Sequence, residues 1–92
     1  MRKPSLLFAL FLAPAFFGTA PAQMTPQQLV QDAMQKQQAG DLAGAVTEYR
    51  EFLKLHPEAA PIHSNLGAAL AGLGRYEEAL PEYKIALKQS PK

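Results

Sequence analysis

Two stretches of this chain, 34 residues apart, carry the same punctuation. Gly40 corresponds to Gly74, Ala45 to Ala79, Tyr49 to Tyr83 and Pro57 to Pro91. Ala33 matches Gly67, Leu42 matches Tyr76, Leu53 matches Leu87 and Lys54 matches Lys88. A fixed period of this length constrains the fold more tightly than composition does. Each unit is one supersecondary element that needs a neighbour to bury its apolar face, which makes a solenoid. That design suits binding more than catalysis.

Within each unit the apolar residues recur at three and four, and no stretch alternates in the strand manner. The expected fold class is therefore all-α, an α-α superhelix of two helix-turn-helix units over residues 26–57 and 58–92. Thr25, Pro26 and Gln28 form a capping box with proline at the first helical position, so a first helix should run from Pro26 to about Ala39. Leu29, Val30, Ala33 and Met34 are its expected inward face, and Gly40 should end it in the left-handed conformation. Asp41 is the next N-cap. Leu42, Ala45, Val46, Tyr49, Phe52 and Leu53 make one stripe of a second helix that closes at Leu55-His56-Pro57. The second unit is expected to start around Glu58 and to carry Ile62, Leu66, Ala69, Leu70 and Leu73 on one side of its first helix. Gly74-Arg75 makes a turn, and a fourth helix presents Tyr76, Ala79, Leu80, Tyr83, Ala86 and Leu87. Pro81 interrupts that last pattern. An interior proline costs about 3 kcal/mol, so the helix either starts late, near Glu78, or kinks at Pro81; the late start, which places Pro81 close to the first turn, is the expected one.

Residues 1–22 have a different character. Met1-Arg2-Lys3 is basic, Ser5 to Phe17 is apolar, and Ala20-Pro21-Ala22 is an A-x-A site. This order predicts a secretory signal peptide cleaved after Ala22. The apolar run is shorter than the roughly 18 residues of a membrane span and contains Pro14. The mature chain is thus expected to be exported, to a periplasm or beyond, with no membrane attachment. Removing Arg2 and Lys3 leaves seven Lys and Arg against eight Asp and Glu, a formal charge of −1. Nucleic acid, which wants a concentrated basic face, is not an expected partner. The absence of Cys excludes disulfides, zinc-thiolate sites and thiol catalysis together.

Leu66-Gly67-x-x-Leu70, then Ala79-x-x-x-Tyr83, then Pro91 resembles the tetratricopeptide repeat, a 34-residue helix-turn-helix unit. Ala33, Gly40, Ala45, Tyr49 and Pro57 carry the same resemblance in the first unit. The likeness implies that Gly67 and Ala79 sit where two helices cross closely, with Tyr76 and Tyr83 beside them. It also implies that His63 takes a slot the family gives to tryptophan. Asp32 falls where the family places leucine, which reads as an outer, less buried helix at the end of a stack. Two units fall short of the roughly three that make a continuous core. The chain therefore reads as part of a longer stack, with self-association of two copies as the alternative.

No residues converge for chemistry. His56 and His63 are seven apart without a third ligand at usable spacing, so no metal and no cofactor are expected. His56 reads as a cation near a helix C-terminus, and Glu77-Glu78 as first-turn acids suited to the helix dipole. Ser64 and Ser90 lack a nucleophile elbow, and the glycines lack a phosphate loop's lysine. The tyrosines stand at helical spacing and read as core. No catalytic residue is assigned, and the chain is not expected to be an enzyme. The resemblance implies that a peptide or partner protein lies along the concave face made by the first helix of each unit. The positions are Gln27, Val30, Gln31, Met34 and Gln38, then Ser64, Asn65, Ala68 and Ala71. Val30 and Ser64 stand where a carboxylate clamp would carry basic residues, so that clamp is not supported. The alternative function is the interaction segment of a longer secreted enzyme.

Overall fold

The computed structural model describes residues 23–90 as four helices: α1, Pro26–Ala39; α2, Leu42–Leu55; α3, Ala60–Gly72; and α4, Tyr76–Gln89. Each packs against the next in chain order, α1 on α2, α2 on α3 and α3 on α4. The 1–22 segment and Pro91 lie outside the described residues.

Local chemistry explains the boundaries. The Thr25 hydroxyl accepts from the Gln28 amide at 3.1 Å, and the Gln28 side chain accepts from the Thr25 amide at 2.9 Å. Both bonds satisfy donors that a helix start leaves free. The turns after α1 and α3 repeat one closure. Asp41 N–H donates to the Lys36 carbonyl at 2.8 Å, and Arg75 N–H donates to the Leu70 carbonyl at 2.9 Å. Both reversals pass through a glycine with positive φ, 94° at Gly40 and 80° at Gly74. This is the Schellman geometry, which L side chains adopt only with strain. The 34-residue period therefore holds down to individual hydrogen bonds. Asp41 caps α2 as expected, accepting from Gly44 N–H at 3.0 Å.

The core is a single band of Ala33, Ala45, Val46, Tyr49, Leu53, Ile62, Leu66, Ala69, Leu70 and Ala79. Tyr49, Leu66 and Leu70 are its largest fully buried side chains. Gly67 allows α3 and α4 to cross closely. A Cβ there would stand 3.0 Å from the Tyr83 ring.

Three expectations change. Met34 and Leu73, expected to face inward, are 42% and 38% exposed. α3 itself begins at Ala60, after an N-cap at Ala59. The first intrahelical bonds run to the Ala59 carbonyl, from Ile62 and His63. α4 does not start late. It begins at Tyr76 and continues past Pro81 to Gln89. Glu78 and Ala79 N–H both donate to the Arg75 carbonyl, which fixes the earlier start. The proline is tolerable because it and Glu77, whose carbonyl loses its helical donor, are both exposed to water. Finally, the tyrosines are not uniformly core. Tyr49 is fully buried and Tyr83 half-buried, whereas Tyr76 is 67% exposed. Among the described residues no helix lies on the outer side of α4, so the stripe that α3 covers on α2 stays open there.

Candidate functional site

The residues assigned to the concave face share one side of each odd-numbered helix by their spacing. Gln27, Gln31, Met34, Gln38 and Ala68 are exposed, while Val30, Ser64, Asn65 and Ala71 are half-buried. The structure gathers only part of this set. Gln27, Val30 and Gln31 line a cavity of about 450 Å³ together with Phe52, His56 and Ile62. Its floor is apolar, and two glutamine amides and an imidazole stand around it. Ser64 lines a separate cavity of about 410 Å³ one period further on, with Pro61, Tyr83, Ala86 and Leu87. There Pro61 and Ser64 stand where Gln27 and Val30 stand in the first unit. Met34, Gln38, Asn65 and Ala68 line neither cavity.

Phe52, His56 and Ile62 were not assigned to a site from the sequence, which placed the first and last in core stripes. The signal was present: Phe52 and His56 are four apart, so their rings share a helix face. Their centroids lie 4.9 Å apart.

Asn65 lies beside the buried Tyr49 phenol. Burial pushes the Tyr49 phenol above its ordinary range, and a hydrogen bond from Asn65 opposes that rise. The same hydroxyl donates to Gln37 Oε1 at 2.7 Å, so the buried tyrosine ties α2 to α1. His63 is similarly tied. It is 7% exposed in the interior slot expected for it, with Nδ1 2.7 Å from Glu82 Oε1 and Nε2 2.8 Å from the Pro57 carbonyl. A carbonyl only accepts, so Nε2 carries a proton and donates. Gln89 adds a second donor to the same carbonyl at 3.1 Å. The imidazole thus pins the α2–α3 turn to α4 and is not displayed to a ligand.

The outer side of α1 is polar. Lys36 Nζ lies 3.0 Å from both Asp32 Oδ2 and Glu48 Oε2. Hydrogen bonding to Glu48 and Lys36 holds the Asp32 carboxyl below its usual range, while burial pushes Glu48 up. Asp32 is thus half-buried, with Lys36 as its partner. Among the described residues no group of three His, Cys, Asp or Glu side chains is placed to hold a metal ion. No described helix is long and apolar enough to cross a membrane.

Residues 32–92, most of the chain and nearly all of both units, match the model of the tetratricopeptide repeat. The chain belongs to the tetratricopeptide repeat family. No curated protein matches it significantly. Tetratricopeptide repeats generally mediate protein–protein interaction, which agrees with two stacked helical hairpins.

Proposed function

We propose that this tetratricopeptide chain is an exported interaction module that binds an extended peptide segment of a partner protein along the α1 and α3 face. The observation that carries the reading is the cavity between the two units. An apolar floor of Val30, Phe52 and Ile62 is bordered by the amides of Gln27 and Gln31. Such a site takes one apolar side chain while glutamines, each both donor and acceptor, bond the peptide backbone. The described part of this face carries no Lys, Arg, Asp or Glu among its assigned residues, so it selects by shape and hydrogen bonding rather than charge. Binding needs no cofactor and no covalent step. Export rests on the basic, apolar and A-x-A order of residues 1–22.

The test is selection of ligands from a random peptide library displayed on phage, followed by fluorescence anisotropy with the best sequence. Gln27→Ala and Gln31→Ala should each weaken binding about 3- to 10-fold, the worth of one hydrogen bond. Val30→Asp should abolish it, and Lys88→Ala on α4 should leave it unchanged. Peptides whose affinity ignores all three α1 substitutions would refute the assignment. For export, the N-terminus of the protein recovered outside the cytoplasm should be Gln23.

A further inference from the structure

The internal repeat allows each surface on one unit to be compared with its counterpart on the other. On α2, Val46, Tyr49 and Leu53 are 3%, 0% and 9% exposed because α3 lies against them. Thirty-four residues later, Leu80 and Leu87 on α4 are 54% and 64% exposed, and Tyr83 is half-buried. Tyr76, 67% exposed, extends the stripe by one turn. We propose that this α4 stripe is a homodimerisation face, closed by the same stripe of a second copy running antiparallel.

Three observations select that occupant. First, the spacing from Tyr76 to Leu80, Tyr83 and Leu87 is four, three and four, the seam of a left-handed helix pair. Second, the order of residues is self-complementary. An antiparallel two-fold pairing sets Tyr76 against Leu87 of the partner subunit and Leu80 against Tyr83 of the partner subunit, so every ring meets an aliphatic side chain. Third, the charges beside the seam agree. Glu77 and Lys84 each follow a seam tyrosine directly and so flank the seam, the acid in the first half of the helix and the lysine in the second. Antiparallel pairing brings Glu77 towards Lys84 of the partner subunit. A parallel pairing would set like charges together, which is unfavourable.

Head-to-tail stacking does not fit. Asp32 and Lys36 occupy on α1 the repeat positions of Leu66 and Leu70 on α3, and both are engaged in ion pairs there. Covering them with Leu80 and Leu87 would desolvate charge without return. The contact therefore closes as a pair instead of growing into a filament. One helix face is smaller than the roughly 800 Å² per partner of a standard interface, so the dimer is weak and concentration-dependent.

The full chain, purified after expression with its own N-terminal segment, is examined by sedimentation from about 10 µM to about 1 mM, the range of weak association. Its mass is divided by that of one chain from denaturing mass spectrometry. The ratio should rise from one towards two. Leu80→Lys combined with Leu87→Lys should hold it at one with unchanged helical circular dichroism, since both side chains are exposed. Glu77→Lys should raise the dissociation constant about threefold, the worth of an exposed ion pair. Adding Lys84→Glu should restore it. A ratio of one throughout, growth beyond two, or association that survives the double leucine substitution would each overturn the proposal; the last would implicate residues 1–22. A persistent ratio of one, with the α4 amides shifting when a synthetic peptide of residues 60–73 is added, would assign the face to an amphipathic helix from elsewhere.

Discussion

A carboxylate between two guanidinium groups behaves differently from one in water, and Glu78 is such a group. Arg75 donates to it from Nε at 2.9 Å and from a terminal nitrogen at 2.8 Å, and Arg50 reaches it from α2 at 3.0 Å. These partners, Arg75 first, lower its pKa from 4.5 to about 2. A depressed carboxylate stabilises the folded state fully above the unfolded value and loses that contribution as pH falls through the folded one. NMR titration should therefore place the Glu78 carboxyl transition near pH 2. The melting temperature should fall between pH 4.5 and 2 more steeply than in Glu78→Gln. Gly40 is a second decisive residue. Its φ of 94° is costly for any L side chain, so Gly40→Ala should destabilise by about 1–2 kcal/mol in chemical denaturation. Gly40 and the caps Thr25 and Asp41 were legible in the sequence because such residues act on their own stretch of backbone. Glu82 and Pro57 as partners of His63 were not, since they lie 19 and 6 residues away and meet it only once α3 and α4 have packed.

Among the helices, α4 is the one whose pattern and structure disagree. Its sequence suggested a start near Glu78, yet it begins at Tyr76 and carries Pro81 in its interior. The proline penalty is local, whereas burial of Ala79 and Ala86 against α3 holds the whole helix. Tertiary packing wins. Pro81→Ala should return a donor to the Glu77 carbonyl and remove a ring from the backbone, stabilising the protein by about 1–3 kcal/mol in thermal or urea unfolding. A neutral or destabilising result would place the proline outside a regular helix. The boundaries of α1 and α2 were readable to the residue because both begin at side-chain caps, Thr25 and Asp41. The starts of α3 and α4 have no side-chain cap, at Ala59 and Arg75. The start of α4 was misplaced because Pro81, weighed on its own, argued for a later one.

At the scale of the described stack the first and last helices differ: α1 carries an ion-paired polar side, and α4 leaves an apolar one exposed. Repeat equivalence makes this measurable. Leu53 is 9% exposed and its counterpart Leu87 is 64% exposed. Leu53→Ala should cost about 2–5 kcal/mol, and Leu87→Ala should stay within about 0.5 kcal/mol at dilutions where the chain is monomeric. The period announced the fold class and the helix pairing, since stacking is the means by which such units bury their stripes. It was silent on which stripe stays uncovered, because exposure depends on what lies next to a helix and not on its own residues. The binding face was half legible: helical spacing placed Gln27, Val30 and Gln31 together, whereas Phe52, His56 and Ile62 join them through the packing of three helices. The most direct test is a titration of the ¹⁵N-labelled chain with a library-selected peptide, followed through the backbone amide shifts. Changes concentrated on α1 and α3, centred on Gln27, Val30, Gln31 and Ile62, are expected. Changes confined to α2 and the outer side of α4, with the α1 amides unmoved, would contradict the concave-face assignment.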